Sequence, residues 1–256
     1  MERAIFDRRR YRKDNYVYLL AEGEDAALVD PGDPAIALAL AAAHGVRPRW
    51  ILHTHGHADH TGGSAEVAAA LGAEVLGHGA DAAWFAPDAD LAGRGALALG
   101  RLALRVHAVP GHTPGSVLLE WRGRLLTGDT LFWAGCGNCR AGGDPAILAR
   151  SFLGPIAALD ARLEVHPGHD YAAANLPFAL SLEPGNPAAL RRRDQVEAAR
   201  GAGAEPPPAT LGEERALNPF LRLDAPGVRA AVEGAAPAPG DPVSRFVALR
   251  ALRDRW

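Results

Sequence analysis

The chain has 256 residues and a net charge of −3, with 30 Asp and Glu against 27 Lys and Arg. That length suits one large domain, or one with a smaller companion, and the charge balance gives no bulk electrostatic case for nucleic acid. No apolar run approaches membrane-spanning length. No signal-like apolar core follows Met1-Glu2-Arg3, and two cysteines exclude a disulfide framework, so the expected location is cytoplasmic.

In chain order, the run Arg8-Arg9-Arg10-Tyr11-Arg12-Lys13 reads as a solvated strand or chain entry rather than a phosphate-binding arm. Tyr16-Val17-Tyr18-Leu19-Leu20 and Ala26-Ala27-Leu28-Val29-Asp30 read as a strand pair joined through Gly23. Asp33-Pro34 opens a helix that Gly45 closes, with Asp at the N-cap, Pro at the first helical position and Gly past the end. The same device recurs at Asp144-Pro145, Asn186-Pro187 and Asp241-Pro242. Trp50-Ile51-Leu52 ends a buried strand. Ser64 is placed to cap a short helix running to Gly72, and a strand follows from Glu74 to Gly77. Short apolar runs between Ala96 and Leu126, separated at Gly100 and Arg122-Gly123, predict antiparallel sheet. A helix from Pro145 then precedes a strand from Arg162 to His166.

Past Tyr171 the pattern turns helical and Ala/Arg-rich, with a Pro-rich link at Glu205-Pro206-Pro207-Pro208 and no expected strand. Residues 1–170 therefore read as an α/β domain, a four-layer αβ/βα sandwich of two sheets with helices outside. Residues 171–256 read as a small helical domain that either covers the site or buttresses the sandwich.

The chemistry concentrates after Leu52. His55, His57, Asp59 and His60 place four potential ligands within six residues, in the run His53-Thr54-His55-Gly56-His57-Ala58-Asp59-His60. On a helix, His55 and His57 would point about 200° apart and could not share an ion. In a loop leaving a strand, residues two apart can converge on one ion and the next pair on a neighbour. Imidazole and carboxylate suit zinc, iron or manganese. Three later positions, His112, Asp129 and His169, are each glycine-flanked ligand types leaving an apolar strand. His44, His53, His78, His107 and His166 are left without a metal role. His53 lies beside the cluster as a packed or hydrogen-bonded histidine, with Asp30 and His107 of similar rank.

The His55-x-His57-x-Asp59-His60 motif after an apolar strand resembles the signature of the metallo-β-lactamase superfamily, whose fold is the four-layer sandwich. The resemblance implies a first metal held by His55, His57 and His112. It implies a second held by Asp59, His60 and His169, with Asp129 bridging both. Two divalent ions are expected, zinc first, with iron and manganese also suited. Cations about 3.5–4 Å apart can hold a bridging hydroxide that attacks an acyl carbon, which gives Asp59 and Asp129 their catalytic part. No serine or cysteine nucleophile is then needed, and Gly-x-Ser-x-Gly is absent.

Further matching stretches are Asp14-Asn15-Tyr16-Val17-Tyr18-Leu19, Gly128-Asp129-Thr130-Leu131-Phe132 leading to Gly135-Cys136-Gly137, and Gly168-His169-Asp170-Tyr171. They continue through Glu183-Pro184-Gly185-Asn186, Thr210-Leu211 and Asn218-Pro219-Phe220. These resemble glyoxalase II, the hydroxyacylglutathione hydrolases, which cleave thioesters such as S-D-lactoylglutathione. The resemblance implies that Tyr171 contacts the tripeptide and that Arg250 and Arg253, three apart on the last helix, bind its carboxylates. A solvated helix end is the competing reading of these arginines. The family's basic residue and aromatic after Gly-Cys-Gly are absent, and Asn138-Cys139-Arg140 stand there instead. Either Arg140 supplies the displaced charge or the thiol carrier differs from glutathione. Cys136-x-x-Cys139 offers too few ligands for a structural zinc and reads as a loop feature rather than a redox pair. The rival reading is a mononuclear iron persulfide dioxygenase using His55, His112 and Asp129. The expected partner is a small-molecule thioester, with no membrane or nucleic acid, on a monomer or small homo-oligomer.

Overall fold

The computed structural model describes residues 4–233 and 240–256, so Met1-Glu2-Arg3 lie outside the described residues. The first sheet begins as an antiparallel meander of β1 (Ala4–Tyr11), β2 (Asn15–Glu22) and β3 (Asp25–Val29). The chain then crosses through α1 (Pro34–His44) to β4 (Trp50–Leu52), which runs parallel to β3. The short α2 (Ala58–Thr61) and α3 (Ser64–Leu71) lead to β5 (Glu74–Gly77) and β6 (Ala89–Asp90), and the six strands lie in sequence order.

The second sheet opens with β7 (Ala96–Leu99), β8 (Leu102–Ala108), β9 (Val117–Trp121) and β10 (Arg124–Gly128), all antiparallel as expected. A small hairpin, β11 (Leu131–Phe132) with β12 (Gly135–Cys136), and α4 (Pro145–Ser151) precede β13 (Glu164–Pro167), which is parallel to β10. The remainder is α5 (Ala172–Leu182), α6 (Pro187–Gly201), β14 (Ala209–Thr210), α7 (Leu211–Leu217), α8 (Pro226–Glu233) and α9 (Pro242–Arg255).

Side-chain alternation in β2 explains the layering. Tyr16, Tyr18 and Leu20 join Leu104, Leu119 and Leu126 of the facing sheet in one core. Val17, Leu19 and Ala21 point the other way, against Ala37 and Leu40 of α1 and Val67 of α3. A strand buried on both faces reads as a continuous apolar run, and β2 does. The outer face of the second sheet packs Leu118, Leu125 and Val165 against the later helices through Phe178, Phe220 and Phe246. Helices, sheet, sheet, helices: the expected four layers are present.

The Asp33, Asn186, Asp144 and Asp241 side chains each accept backbone N–H groups of the turn they precede, as their sequence predicted. Ser64 differs. Gly63 is the N-cap of α3, and the Ser64 hydroxyl pairs with His53 Nε2 at 2.7 Å. A second difference is β14, a strand inside the stretch expected to be wholly helical. It pairs antiparallel with β13 and forms the edge of the second sheet. Two residues are too short to carry an alternation signal.

The basic run begins on β1, where Arg9 is exposed as expected of a solvated strand, as are Arg12 and Lys13 beyond it. Arg8 and Arg10 instead reach across to the later chain, Arg8 Nη2 donating to the Pro206 carbonyl at 2.9 Å. Arg10 Nη2 donates to Asp170 Oδ2 at 2.7 Å and to Glu205 Oε2 at 2.8 Å. Arg200 reaches the same Asp170 oxygen at 3.0 Å. The Pro-rich link is thereby tied to the first sheet and to the residue after His169. Among the described residues no helix is long and apolar enough to cross a membrane.

Candidate active site

The candidate ligands leave the carboxyl ends of strands from both sheets. β4 runs into His55 and His57, α2 carries Asp59 and His60, the β8–β9 loop carries His112, β10 ends before Asp129 and β13 before His169. Gly128 has φ 47, and a side chain there would strike Thr54, so only glycine lets β10 end this close to the β4 loop.

The structure brings the sequence candidates together in two groups. The ligand atoms of His55, His57 and His112 lie within 4.8 Å of one another, as do those of Asp59, His60 and His169. Asp129 lies between them. Its Oδ2 is 3.7 Å from His112 Nε2 and 3.4 Å from His169 Nε2, and its Oδ1 is 3.4 Å from His60 Nε2. Asp30, His55 and His60 form a third such group behind these two.

Four of the five cluster histidines have the outer nitrogen hydrogen-bonded, which fixes the ring and leaves the other nitrogen facing inward, whereas His60 Nδ1 is buried without a hydrogen-bond partner. His57 Nε2 donates to the Ala141 carbonyl at 2.9 Å and His112 Nδ1 to the Asn138 carbonyl at 2.6 Å. His169 Nδ1 donates to Asp14 Oδ1 at 2.8 Å. His60 Nδ1 faces Asp30 Oδ2 at 3.4 Å. His55 Nδ1 pairs with Thr54 Oγ1 at 3.1 Å, and that hydroxyl donates to Asp30 Oδ2 at 2.6 Å. Asp30 holds this post at φ 53, a region that residues other than glycine rarely occupy. Asp59 is held by Asn15 Nδ2 at 2.9 Å, and its carbonyl by the Tyr11 hydroxyl at 2.6 Å.

The electrostatics pull in two directions. Burial, with the neighbouring His60 charge, holds His55 well below the usual imidazole range, and burial also lowers His112. Burial would lower His169 too, but Asp129 and the hydrogen bonds to Asp129 and Asp59 outweigh it and push it up to about 10. His60 is likewise driven up against its burial, by Asp129 and Asp30. Burial opposes ionisation of Asp129, yet the His60 and His169 charges keep its carboxyl well below the usual range. Two inward nitrogen pairs, His57 Nδ1 with His112 Nε2 and His60 Nε2 with His169 Nε2, sit 3.0 and 3.1 Å apart. His55 Nε2 and Asp129 Oδ1 are buried without a partner. Buried lone pairs converging on one another at this spacing fit cations, which take the places protons would otherwise hold. The clusters suit a pair of metal ions.

Beside it opens a cavity of about 340 Å³ that includes Asn138, Arg140, Tyr171, Arg250, Arg253 and Asp254 in its lining. All five sequence-predicted substrate residues meet there. Arg250 is not solvated, and Arg253, in the last turn of α9, is partly exposed. Arg250 is buried, and donates to the Cys136 carbonyl at 2.9 Å and to Asp254 Oδ1 at 2.9 Å. Arg253 Nη2 reaches the Ala174 carbonyl and Asn175 Oδ1, both at 3.3 Å. Arg140 Nη2 donates to the Asp254 carbonyl at 2.9 Å, so it does join the pocket. Burial pushes the Cys136 thiol up to about 11 and Cys139 up to about 12.

Sequence reasoning passed over Asp14, Asn15 and Tyr11 as positioning residues, although Asp14-Asn15 stood in a matching stretch. The carbonyls of Asn138 and Ala141 carry no sequence signal, because every residue has one. Of the remaining histidines, His44 pairs with Asp7, His107 with Glu120 and His53 with Ser64, His78 accepts Ala80 N, and His166 is buried with neither ring nitrogen hydrogen-bonded.

Residues 10–169 match the metallo-beta-lactamase superfamily, and residues 170–256 match the hydroxyacylglutathione hydrolase C-terminus. The chain is 78% identical to a hydroxyacylglutathione hydrolase of Anaeromyxobacter dehalogenans, over 98% of this chain and 99% of that protein. It is 42% identical to one of Methylobacillus flagellatus, over 95% of this chain and 96% of that protein. The crystal structure of BLEG-1, a B3 metallo-beta-lactamase, superposes with a TM-score of 0.67 at 24% identity, over 85% of this chain and 99% of that one. That last likeness speaks for the fold alone. With both family matches and a relative this similar along nearly its whole length, the chain belongs to the hydroxyacylglutathione hydrolase family of the metallo-β-lactamase superfamily.

Proposed function

We propose that the protein hydrolyses S-D-lactoylglutathione or a related 2-hydroxyacyl thioester to the hydroxy acid and the free thiol. The observation that carries this reading is the cationic cavity abutting the ligand cluster, with Tyr171 stacked on His169 at 4.8 Å between ring centroids. In this reading His55, His57 and His112 hold one ion, Asp59, His60 and His169 hold the other, and Asp129 spans both. Zinc is the first choice for this set of imidazoles and carboxylates, with iron and manganese also suited. When bound, such a pair of ions supplies water activation and Lewis-acid polarisation of a carbonyl.

The chain's own residues do the rest. Asp14, Asp30 and the Asn138 and Ala141 carbonyls hold the ligand rings in their tautomers. Arg250 and Arg253 bind a carboxylate of the carrier, Asp254 aims Arg250, and the Tyr171 ring lies under the thiol end. A thiolate leaves with a solution pKa of about 8.5, so no strong general acid is required of the protein. Residues 1–170 thus supply the ligands and residues 171–256 most of the carrier pocket.

The test is hydrolysis of thioesters across acyl groups and carrier thiols, with metal content measured on the same sample. Turnover of the glutathione thioester with two ions per chain is expected. The persulfide dioxygenase reading has less support, because it uses three of the seven ligands and leaves the Asp59, His60 and His169 group idle. Oxygen uptake with one iron per chain would favour it instead.

A further inference from the structure

Trp84 is 43% exposed, one of four large hydrophobic side chains left open among the described residues, and it stands on the His57 side of the ligand cluster. Its ring lies 5.6 Å from that of His57, while Tyr171 lies against His169. The two aromatic rings therefore bracket the two ligand groups from opposite ends. Trp84 is not a loose surface ring. Its backbone N–H donates to the Asp81 carbonyl at 2.9 Å. The buried Asp81 carboxylate in turn accepts Gly56 N at 2.8 Å, Gly115 N at 2.7 Å and the Thr113 hydroxyl at 2.6 Å, which ties this segment to both loops that carry His55, His57 and His112.

Glycines make room for the ring. A Cβ on Gly56 would lie 2.8 Å from Trp84, and one on Gly142, where φ is 88, would lie 2.7 Å from it. The indole rests on bare backbone of two site loops, with one part left open to solvent at the rim. With the thiol carrier in the Tyr171 pocket and the reacting carbonyl at the cluster, the acyl substituent must leave toward the remaining end.

We propose that Trp84 forms the acyl-group wall of the site and favours thioesters whose 2-hydroxyacyl group bears an aromatic or branched apolar substituent. This rests on the thioester hydrolase reading. An apolar substituent laid against the exposed part of the ring removes both surfaces from water, and the ring's fixed position means little ordering is needed on binding.

The experiment compares S-glycoloyl-, S-lactoyl- and S-mandeloylglutathione with the parent, Trp84→Ala and Trp84→Phe, with bound metal measured on each sample. Trp84→Ala should lower kcat/KM for the mandeloyl thioester about ten-fold, the discrimination one apolar contact provides. The glycoloyl thioester, which has no substituent, should change by less than about two-fold. Trp84→Phe should restore most of the mandeloyl rate, which a variant that merely unfolded would not allow. An equal loss across all three thioesters, or none on the mandeloyl one, overturns the assignment while leaving the hydrolase reading intact. A parent that hydrolyses none of the three overturns both.

Discussion

Asp14 Oδ1 accepts a hydrogen bond from His169 Nδ1 at 2.8 Å, at the rim of the ligand cluster where Asp14 is partly exposed. That bond fixes the ring so that Nε2 faces Asp59 and Asp129. Removing such an outer partner commonly costs 10–100-fold in metal affinity. Asp14→Ala is therefore expected to weaken one of two sites by about that factor, read by metal titration. His169→Ala should mainly empty that same site, and Asp129→Ala should lower occupancy of both. Full activity with one equivalent of metal would sink the two-ion reading.

Arg250 and Arg253 line one cavity but differ in surroundings, so their alanine variants should differ. A clamp on a carboxylate remote from the scissile bond contributes uniform binding, whose loss raises KM with little change in kcat. A charge-assisted hydrogen bond contributes roughly 1.5–3 kcal/mol, so each variant should lose about ten- to a hundred-fold in kcat/KM on the glutathione thioester. Arg250→Ala also strips the Cys136 carbonyl and Asp254 of a buried donor. It should lower the melting temperature, whereas Arg253→Ala should leave it nearly unchanged. A small thioester lacking the tripeptide should not distinguish the variants from the parent. An unchanged KM for the glutathione thioester in both would remove glutathione as the carrier.

Glu214 gives a pH dependence away from the metals. Its side chain is buried on α7, where Oε2 accepts Ala134 N and Asn218 Nδ2 and Oε1 has no partner. Burial outweighs these bonds and pushes its pKa up to about 7. The folded value lies above the unfolded one, so the stability it carries is full below about pH 4.5 and is lost as the pH rises through 7. That loss is on the order of 3 kcal/mol. Glu214→Gln should raise the urea midpoint at pH 8 and change it little at pH 5. A gain of equal size at both pH values would show that ionisation is not the cause.

Cys136 and Cys139 should be dispensable for chemistry. Burial keeps both thiols protonated at neutral pH, whereas a nucleophile needs the thiolate. The double serine variant is expected to hydrolyse thioesters within about ten-fold of the parent, allowing for a hydroxyl placed in Cys136's buried site. Complete loss of turnover with metals still bound would point to a covalent role.

Much of the fold was legible because its signals are local. Asp33, Asp144, Asn186 and Asp241 each precede a proline at a helix start, and each cap bond is present. The seven candidate ligands could be picked out because four crowd into six residues after an apolar strand, and His112, Asp129 and His169 each follow a glycine at the end of one. What stayed hidden depends on distant partners. Ser64 looked like a cap until His53, eleven residues earlier, claimed its hydroxyl. Arg250 was read as a carboxylate clamp, but helix position says nothing of the Cys136 carbonyl it also holds. Trp84 has no motif at all, and its approach to His57, Gly56 and Gly142 is what places it at the site.

The two-residue strand β14 has a consequence out of proportion to its length. It covers the outer edge of β13, whose far end delivers His169, and Arg10, Asp170, Glu205 and Arg200 fasten the same seam. The helical part is therefore not a module that can be trimmed away to leave a working catalytic half. A chain stopped after residue 170 would carry an open strand edge, with unpaired amides free to seek a second molecule, and a buried Asp170 stripped of the Arg200 contact. Separating hydrolysis from carrier recognition in this scaffold calls for substitutions within the pocket, since cutting the chain would trade a selective enzyme for an adhesive sheet.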